Sequence, residues 1–390
     1  MLLISFDAVG DSAYEEMAQY PAFASLAKQA AVFRDVPSLF LSNTYPIHAS
    51  VVTGVLPREH GLHNNTASFP SPYPLWHHEA SVLCRKTLWE AAAEKGISSA
   101  AVLWPVTAGA KTIRYNIPEV MARPGKSQIL TSLKAGSKWM QIRMFLRHRG
   151  LMEGLRQPAL DRFSTACLVD IIREHRPGIA FIHLTAYDTL CHAHGKASAS
   201  AKAAFAELDR NLSAILDAAG EDEDIILFSD HSQIDVHTAL DPNRALVDKG
   251  LLSESDEGYL PGESGAYVEC CGGSAFFHAG RLGPDQIETL REDFSQREGF
   301  RRFLYLDELR DSGLTDAAFG FCAQAGYCYA VCGETKKAEH GYPLDMPDYG
   351  VFYLVRGCGL PPGEVHQGGS LLDIAPLAAR QLGLHMASSS

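Results

Sequence analysis

Three apolar, strand-like runs in this 390-residue chain each end just before an acid. Leu2–Phe6 precedes Asp7, Ile179–Leu184 is followed by Asp188, and Ile225–Ser229 runs into Asp230. In an open parallel sheet the carboxyl ends of the strands line one edge, and ligands bind there. Two of the acids bring imidazoles with them: His192 follows Asp188 by four positions, and His231 follows Asp230 directly. A later His340-Gly341-Tyr342 supplies one more. Gathered on one edge, three carboxylates and three imidazoles would repel and desolvate one another unless a cation sat between them. Carboxylate oxygen and imidazole nitrogen are ordinary zinc ligands. The pattern predicts a metal centre with two ions.

A hydroxyl stands in a suitable place beside it. Asn43-Thr44-Tyr45-Pro46-Ile47-His48 follows a loop and opens the apolar run Ala49–Thr53. A threonine at a helix start usually caps the helix by accepting a backbone N–H. Helix N-termini also attract anions, which suits phosphate. The hydroxyl is a poor nucleophile until a metal or base takes its proton, and the predicted metal centre would supply that activation. His48 would support this loop, and His77-His78 read as surface or structural residues.

The elements that must position these groups alternate. Strands at Leu2–Phe6, Ala31–Val36, Ser99–Leu103, Ile179–Leu184 and Asp224–Ser229 are separated by helical stretches at Ala22–Gln29, Ser81–Lys95, Leu160–His175 and Ser198–Ala219. Such spacing indicates crossover connections and a parallel sheet. The expected fold is α/β, a three-layer α/β/α sandwich around a mostly parallel sheet. From about Asp241 to Glu339 the rhythm changes to short apolar runs, a Cys270-Cys271-Gly272-Gly273 turn and a charged helix at Pro284–Arg297, which reads as an inserted α+β cap. The chain then re-enters the main sheet through Val351–Val355 and a final helix at Leu371–Leu382. The expected division is therefore a core of residues 1–240 and 340–390 with a cap of 241–339. Gly272-Gly273-Ser274 is no phosphate loop, since no lysine motif follows. Cys322, Cys328 and Cys332 read as ordinary core rather than a thiolate metal site.

Composition narrows the partners. A formal charge of −12 argues against a nucleic-acid polymer, but not against a small anion held by metal ions. No apolar run approaches the roughly 18 residues that span a bilayer, and Met1 leads straight into a strand, so neither a signal peptide nor a membrane partner is expected. Nine scattered cysteines, with Cys84, Cys167 and Cys191 in apolar segments, suggest reduced thiols and a cytoplasmic setting. Ser127–Arg149 carries five basic residues between apolar ones. Such a helix can lie on a membrane or act as a lid; the plainer expectation is a surface helix whose apolar face covers the core.

Taken in order, the motifs resemble the nucleotide pyrophosphatase/phosphodiesterase branch of the alkaline phosphatase superfamily. The matching text is Phe6-Asp7-Ala8-Val9, Asn43-Thr44-Tyr45-Pro46-Ile47-His48, Val52-Thr53-Gly54, Pro57-Arg58-Glu59-His60-Gly61, Asp188 with His192, Ser229-Asp230-His231, His340-Gly341-Tyr342 and Asp373-Ile374-Ala375-Pro376. The resemblance implies one zinc held by Asp7, Asp230, His231 and the Thr44 oxygen, and another held by Asp188, His192 and His340. It implies attack on phosphorus by Thr44, a phosphothreonyl intermediate, and hydrolysis of that intermediate by water. Asn65 matches an asparagine that hydrogen-bonds a phosphoryl oxygen, with Asn64 adjacent, although asparagines in loops commonly form turns. Tyr45 matches an aromatic that stacks on a substrate base, and His183 stands where the partner aromatic is expected. Ser232 replaces a usual glycine, and His194 is a nearby competitor for His192. The implied substrate is a small phosphate ester or nucleotide, cleaved at a phosphodiester or pyrophosphate bond. A phosphomonoesterase or phosphonate hydrolase with the same metals is the alternative, and an idle binding protein on this scaffold the remaining one; the oligomeric state is not legible.

Overall fold

The computed structural model describes residues 1–67, 69, 75–255, 258–331 and 336–386. Its centre is an eight-stranded sheet in the order Val365–Gln367, Ala31–Val36, Val351–Arg356, Ile225–Ser229, Leu2–Phe6, Ile179–Leu184, Ser99–Val102 and Tyr115–Ile117. Val351–Arg356 runs antiparallel to both of its neighbours, and the remaining pairings are parallel. The fold is the expected α/β sandwich.

Burial on both faces explains why the central strands are continuously apolar rather than alternating. Leu2, Ile4 and Phe6 face one core, packed with Phe23 and Leu26 of the Pro21–Gln29 helix, Leu168 and Ile171 of Ala159–His175, and Leu208 and Leu212 of Ala199–Ala219. Met1 and Leu3 face the other, built with Ile47 and Val51 of the Thr44–Thr53 helix, Trp89 of Leu88–Glu94, and Ala375 and Ala378 of Ile374–Leu382. Register completes the arrangement. Phe6 pairs with Leu184 on one side and with Ser229 on the other, so three strand ends lie level at the centre of the sheet.

Tyr267–Cys271, Ser274–His278, Phe319–Ala323 and Phe300–Phe303 form a second, antiparallel sheet, with the Pro284–Ser295 helix packing Leu290 and Phe294 into the same cluster. A three-stranded sheet of Gly326–Tyr329, Ile234–Leu240 and Ala338–Glu339 connects it to the core close to Asp230 and His340.

Three expectations need correction. The Ser81–Lys95 stretch is not one helix: a single turn at Ala80–Val82 is followed by a helix only at Leu88–Glu94. Thr87 and Glu90 form a capping box that starts it there. Cys84, in the irregular piece before it, is exposed, whereas Cys167 and Cys191 are buried. The 127–149 stretch is two helices, Gln128–Ala135 and Lys138–His148, broken at Gly136, and the first buries none of its residues. Gly136 sits so close to Asn116 and Pro118 that a Cβ would collide with both.

One acid absent from the sequence reading sets the position of a helix carrying site residues. The buried Asp161 carboxylate accepts the backbone N–H groups of Thr185 and Ala186 at 3.1 and 2.9 Å, where the Ala186–His194 helix begins, and an amide N–H of Gln157 at 2.7 Å. Burial pushes its pKa up to about 6, against the pull of those donors. Asp161→Ala would strand two buried donors and is expected to cost about 3 kcal/mol. Asp161→Asn, keeping one acceptor, should cost less; urea unfolding of both variants measures the difference.

Candidate metal centre and hydrolytic site

The level strand ends deliver the acids together. Asp7 follows Phe6, its backbone N–H donating to Leu184 O at 3.0 Å. Asp230 follows Ser229, and its Oδ1 accepts from Ala8 N at 3.1 Å and His231 N at 2.8 Å, which ties the two loops together. Asp188 and His192 lie one turn apart on the Ala186–His194 helix, with their side chains 3.3 Å from each other. His231 Nε2 is 3.3 Å from Asp7 and 3.4 Å from Asp230.

His340 reaches the group because Gly341 allows a sharp turn. Gly341 has φ +80°, and a Cβ there would lie 1.9 Å from Cys271 O. The His340 ring then lies 4.2 Å from that of His231 and 5.3 Å from that of His192. Atoms of Asp7, Asp230 and His231 converge within 4.8 Å of one another, and so do those of Asp188, His231 and His340. The structure thus brings all six predicted acids and imidazoles into one centre. His194 is exposed and belongs to none of these groups.

The donor set fits divalent cations. Among the described residues Asp7 Oδ1 and Asp230 Oδ2 are buried without a hydrogen-bond partner, though both face His231 Nε2, an expensive state for a carboxylate oxygen unless a cation faces it. Burial, with Asp188 and Asp230 beside it, pushes the Asp7 carboxyl well above the usual carboxylate range. Around the second group the charges balance differently. Burial opposes ionisation of Asp188, but His192, His340 and His231 hold its carboxyl below the usual range.

Supporting contacts set the imidazole tautomers. His192 Nδ1 donates to Ala338 O at 2.7 Å and His340 Nδ1 to Asn43 Oδ1 at 2.8 Å, leaving each Nε2 as the ligand atom. His48 donates from Nδ1 to Thr44 O at 2.8 Å and accepts from Ser5 Oγ at 2.9 Å. With both nitrogens engaged it braces the Thr44 loop, although it lies close to Asp230 and His183. Gln233 donates to Asp188.

Thr44 is the first residue of the Thr44–Thr53 helix, with its Oγ1 3.2 Å from His231 Nε2. It lines a cavity of about 630 Å³ together with Asp7, Asp188, His192 and His340. Tyr45 and Asn65 are on the same wall. Asn65 Oδ1 accepts from Tyr45 N at 2.8 Å, so its NH₂ half remains to donate to a ligand. Asn64 is fully engaged: it accepts from Asn43 and Asn65 N, and donates to Glu269 and Cys271.

His183 is not on that wall. It has no exposed surface, and its ring is wedged 3.0 Å from Asp7 and 3.2 Å from Glu119. The reason is strand parity, because His183 pairs with Ser5 and points into the sandwich beneath Asp7. Although burial works against its charge, Asp7 and Glu119 hold its imidazolium well above the usual histidine range. The aromatic near Tyr45 is instead Trp76, with ring centres 5.4 Å apart.

Trp76, Glu119 and Glu339 were missed in the sequence. Glu339, pulled down to about 2 by Lys336, His192 and His340 against the effect of burial, lies 3.8 Å from His192 and 3.5 Å from His340. Only its place directly before His340 could have flagged it. Cys332 lies outside the described residues; Cys322 and Cys328 are buried.

A family model for type I phosphodiesterase / nucleotide pyrophosphatase matches residues 1–298. The chain belongs to this family. Among curated protein sequences, none matched the chain. Solved structures similar to this phosphodiesterase-family chain include murine ectonucleotide pyrophosphatase / phosphodiesterase 5, both alone and as an inactive threonine-to-alanine form in complex with AMP. Each has 15% identity and TM-score 0.71, covering 100% of this chain and 96% of the other. The human enzyme of the same name matches with TM-score 0.72 at 15% identity, with the same coverage. At that identity the likeness shows the fold, an alkaline-phosphatase-like one.

The wedge under Asp7 can be tested. His183→Phe fills similar space but removes both polar contacts, leaving Asp7 and Glu119 without their shared partner. Metal affinity is expected to fall roughly 10- to 100-fold, measured by competition with a chelating dye, with the helix and strand content unchanged by circular dichroism.

Proposed function

We propose that this chain is a two-metal hydrolase of phosphodiester or pyrophosphate bonds that works through a phosphothreonine intermediate. The observation carrying the reading is Thr44 Oγ1 at a helix N-terminus, 3.2 Å from His231, on a cavity wall shared with Asp7, Asp188, His192 and His340. Asp7, Asp230, His231 and Thr44 would hold one ion, and Asp188, His192 and His340 the other, zinc being the first choice for such oxygen and nitrogen donors. Two such ions supply a lowered pKa at the nucleophile and charge neutralisation on the attacking and leaving oxygens.

The chain's own groups then define the steps. Thr44 Oγ1 bonds to phosphorus, its proton leaves to solvent, and the bond from phosphorus to the leaving oxygen breaks. The Asn65 amide donates to a non-bridging oxygen, and the backbone at the helix start favours the phosphoryl charge. Water next bonds to phosphorus, the Thr44 Oγ1–phosphorus bond breaks, and Thr44 regains a proton. The named inactive form of the murine relative, a threonine-to-alanine change, agrees with a threonine in this role.

Charge around the cavity favours the diester over the monoester alternative. Among the described lining residues the single lysine or arginine is Lys336, already paired with Glu339 at 2.9 Å, while Glu119, Glu269 and Glu339 contribute acid. A monoester brings additional negative charge that this wall does not answer. A nucleotide fits the reading, since AMP is bound in the murine relative's complex. Its base would meet Tyr45 and Trp76. Residues 241–339 would serve as the cap, contributing Glu269 to Gly272 and Tyr329 to the wall. We place the protein in a reducing compartment such as the cytoplasm, a setting compatible with the free thiols.

Three outcomes are expected. Purified protein should carry close to two divalent ions per chain by elemental analysis and lose activity to a chelator, with recovery on adding zinc. Full activity after exhaustive metal removal would end the two-metal reading. Thr44→Ala should lower kcat by about 10⁴-fold or more while the fold survives, and Thr44→Ser should keep a measurable rate. On paired aryl substrates, kcat/KM should favour the diester; a tenfold monoester preference, about 1.4 kcal/mol, would move the assignment to a phosphatase.

A further inference from the structure

The helices Gln128–Ala135 and Lys138–His148 lie outside the metal centre, and their exposed surface is unusual for this chain. Among the described residues, eight of the fourteen exposed large apolar side chains fall from Met121 to Leu155, a concentration in one stretch of chain rather than a scatter. Trp139 is 79% exposed, Ile129 64%, Leu146 61% and Leu130 57%. Scattered single apolar residues need no explanation, but a concentration of this kind marks an interaction surface.

Helical spacing shows how the surface is organised. Gln141 and Met144 are the buried residues of Lys138–His148. Trp139 and Leu146, seven positions apart, share the opposite face, with Lys138 and Arg149 flanking it. On the other flank Arg143 and Arg147 reach back to Glu174, which anchors the helix to Ala159–His175. Lys126, Lys134, Lys138 and Arg149 are exposed and have no ion-pair partner among the described residues. Residues 123–156 contain eight lysines and arginines against one acid, Glu153, in a chain whose formal charge is −12.

We propose that this strap docks on an anionic lipid surface, with Trp139 and Leu146 entering the headgroup boundary and the unpaired cations reaching the phosphates. An apolar face flanked by lysine and arginine is the pattern of helices lying in that interface, and exposed tryptophan favours the same depth. No described helix is long and apolar enough to cross a membrane, so the contact is with the surface. The charge separation would also orient the protein, since the acidic remainder is repelled by the surface that attracts the strap. A second copy is a poorer occupant, because a two-fold contact through this patch sets like charges against each other. The strap continues directly from Glu119 in the cavity wall, so docking would hold the hydrolytic cavity close to the lipid.

The experiment is co-flotation of the full chain with vesicles of phosphatidylcholine alone and with added phosphatidylglycerol, at low and high salt. Binding is expected only to the anionic vesicles, with release by salt and a blue shift of tryptophan emission that Trp139→Phe removes. The triple change Lys134→Ser, Lys138→Ser, Arg149→Ser should weaken binding by roughly a hundredfold. The pair Trp139→Ser, Leu146→Ser should weaken it comparably. Both variants should hydrolyse a soluble diester at the wild-type rate, which separates docking from catalysis and from misfolding. Absence of binding to anionic vesicles at low salt would overturn the proposal. So would equal binding to neutral vesicles, or a concentration-dependent dimer, seen by sedimentation, that the same substitutions abolish.

Discussion

The crowding of acids at one sheet edge is the constraint on which the rest of the structure depends. Asp7 and Asp230 directly follow strands whose ends are level to the residue, and the half-buried Asp188 stands on the helix after the third. The sheet cannot relax this crowding, because Phe6, Leu184 and Ser229 are tied by ladder hydrogen bonds and packed on both faces. The cost must be met locally. Some of it is met by backbone donors to Asp230 and by the Gln233 amide on Asp188. His183 takes up another share at Asp7, and the orphaned oxygens of Asp7 and Asp230 leave a remainder that suits a cation. The crowding is therefore left partly unrelieved at this sheet edge, where a bound cation would offset it.

How much of this was legible follows from which forces act along the chain. The central strands declare themselves by continuous apolar runs, and each acid sits within four residues of a run's end, so the gathering of the acids at one edge could be read from local text. Asp161 could not. Its role depends on meeting Thr185 and Ala186 across the sandwich, and a lone acid inside a helix carries no mark of that. The Leu88–Glu94 helix starts later than the expected Ser81 for a different reason: the Thr87–Glu90 box fixes its start.

His183 shows where family pattern and parity part. Its position in the sequence suggests an aromatic facing the substrate, yet alternation along Ile179–Leu184 turns the side chain beneath Asp7. Trp76 takes a place beside Tyr45 from an irregular loop, where no periodicity could have announced it. The basic strap was weighed by composition alone, which cannot distinguish a helix that covers a core from one that merely rests on a neighbour. Burial decides it: the Gln128–Ala135 helix contributes nothing to the interior.

The antiparallel sheet and the candidate site are joined through glycine. Gly272 and Gly273 turn the hairpin between Tyr267–Cys271 and Ser274–His278, and Gly273 N donates to His340 O at 2.8 Å. A Cβ at Gly273 would lie 2.2 Å from the Tyr342 ring, and one at Gly341 would strike Cys271 O. The two loops therefore approach each other at backbone distance, with no room for side chains between them. Displacing the cap must then move His340, and with it one side of the second ligand group. Asn64 reinforces the coupling, because it bridges Asn43, which orients His340, to Glu269 of the cap sheet. The antiparallel sheet is thus tied to the position of His340 as well as lining the cavity through Glu269, Cys270 and Cys271.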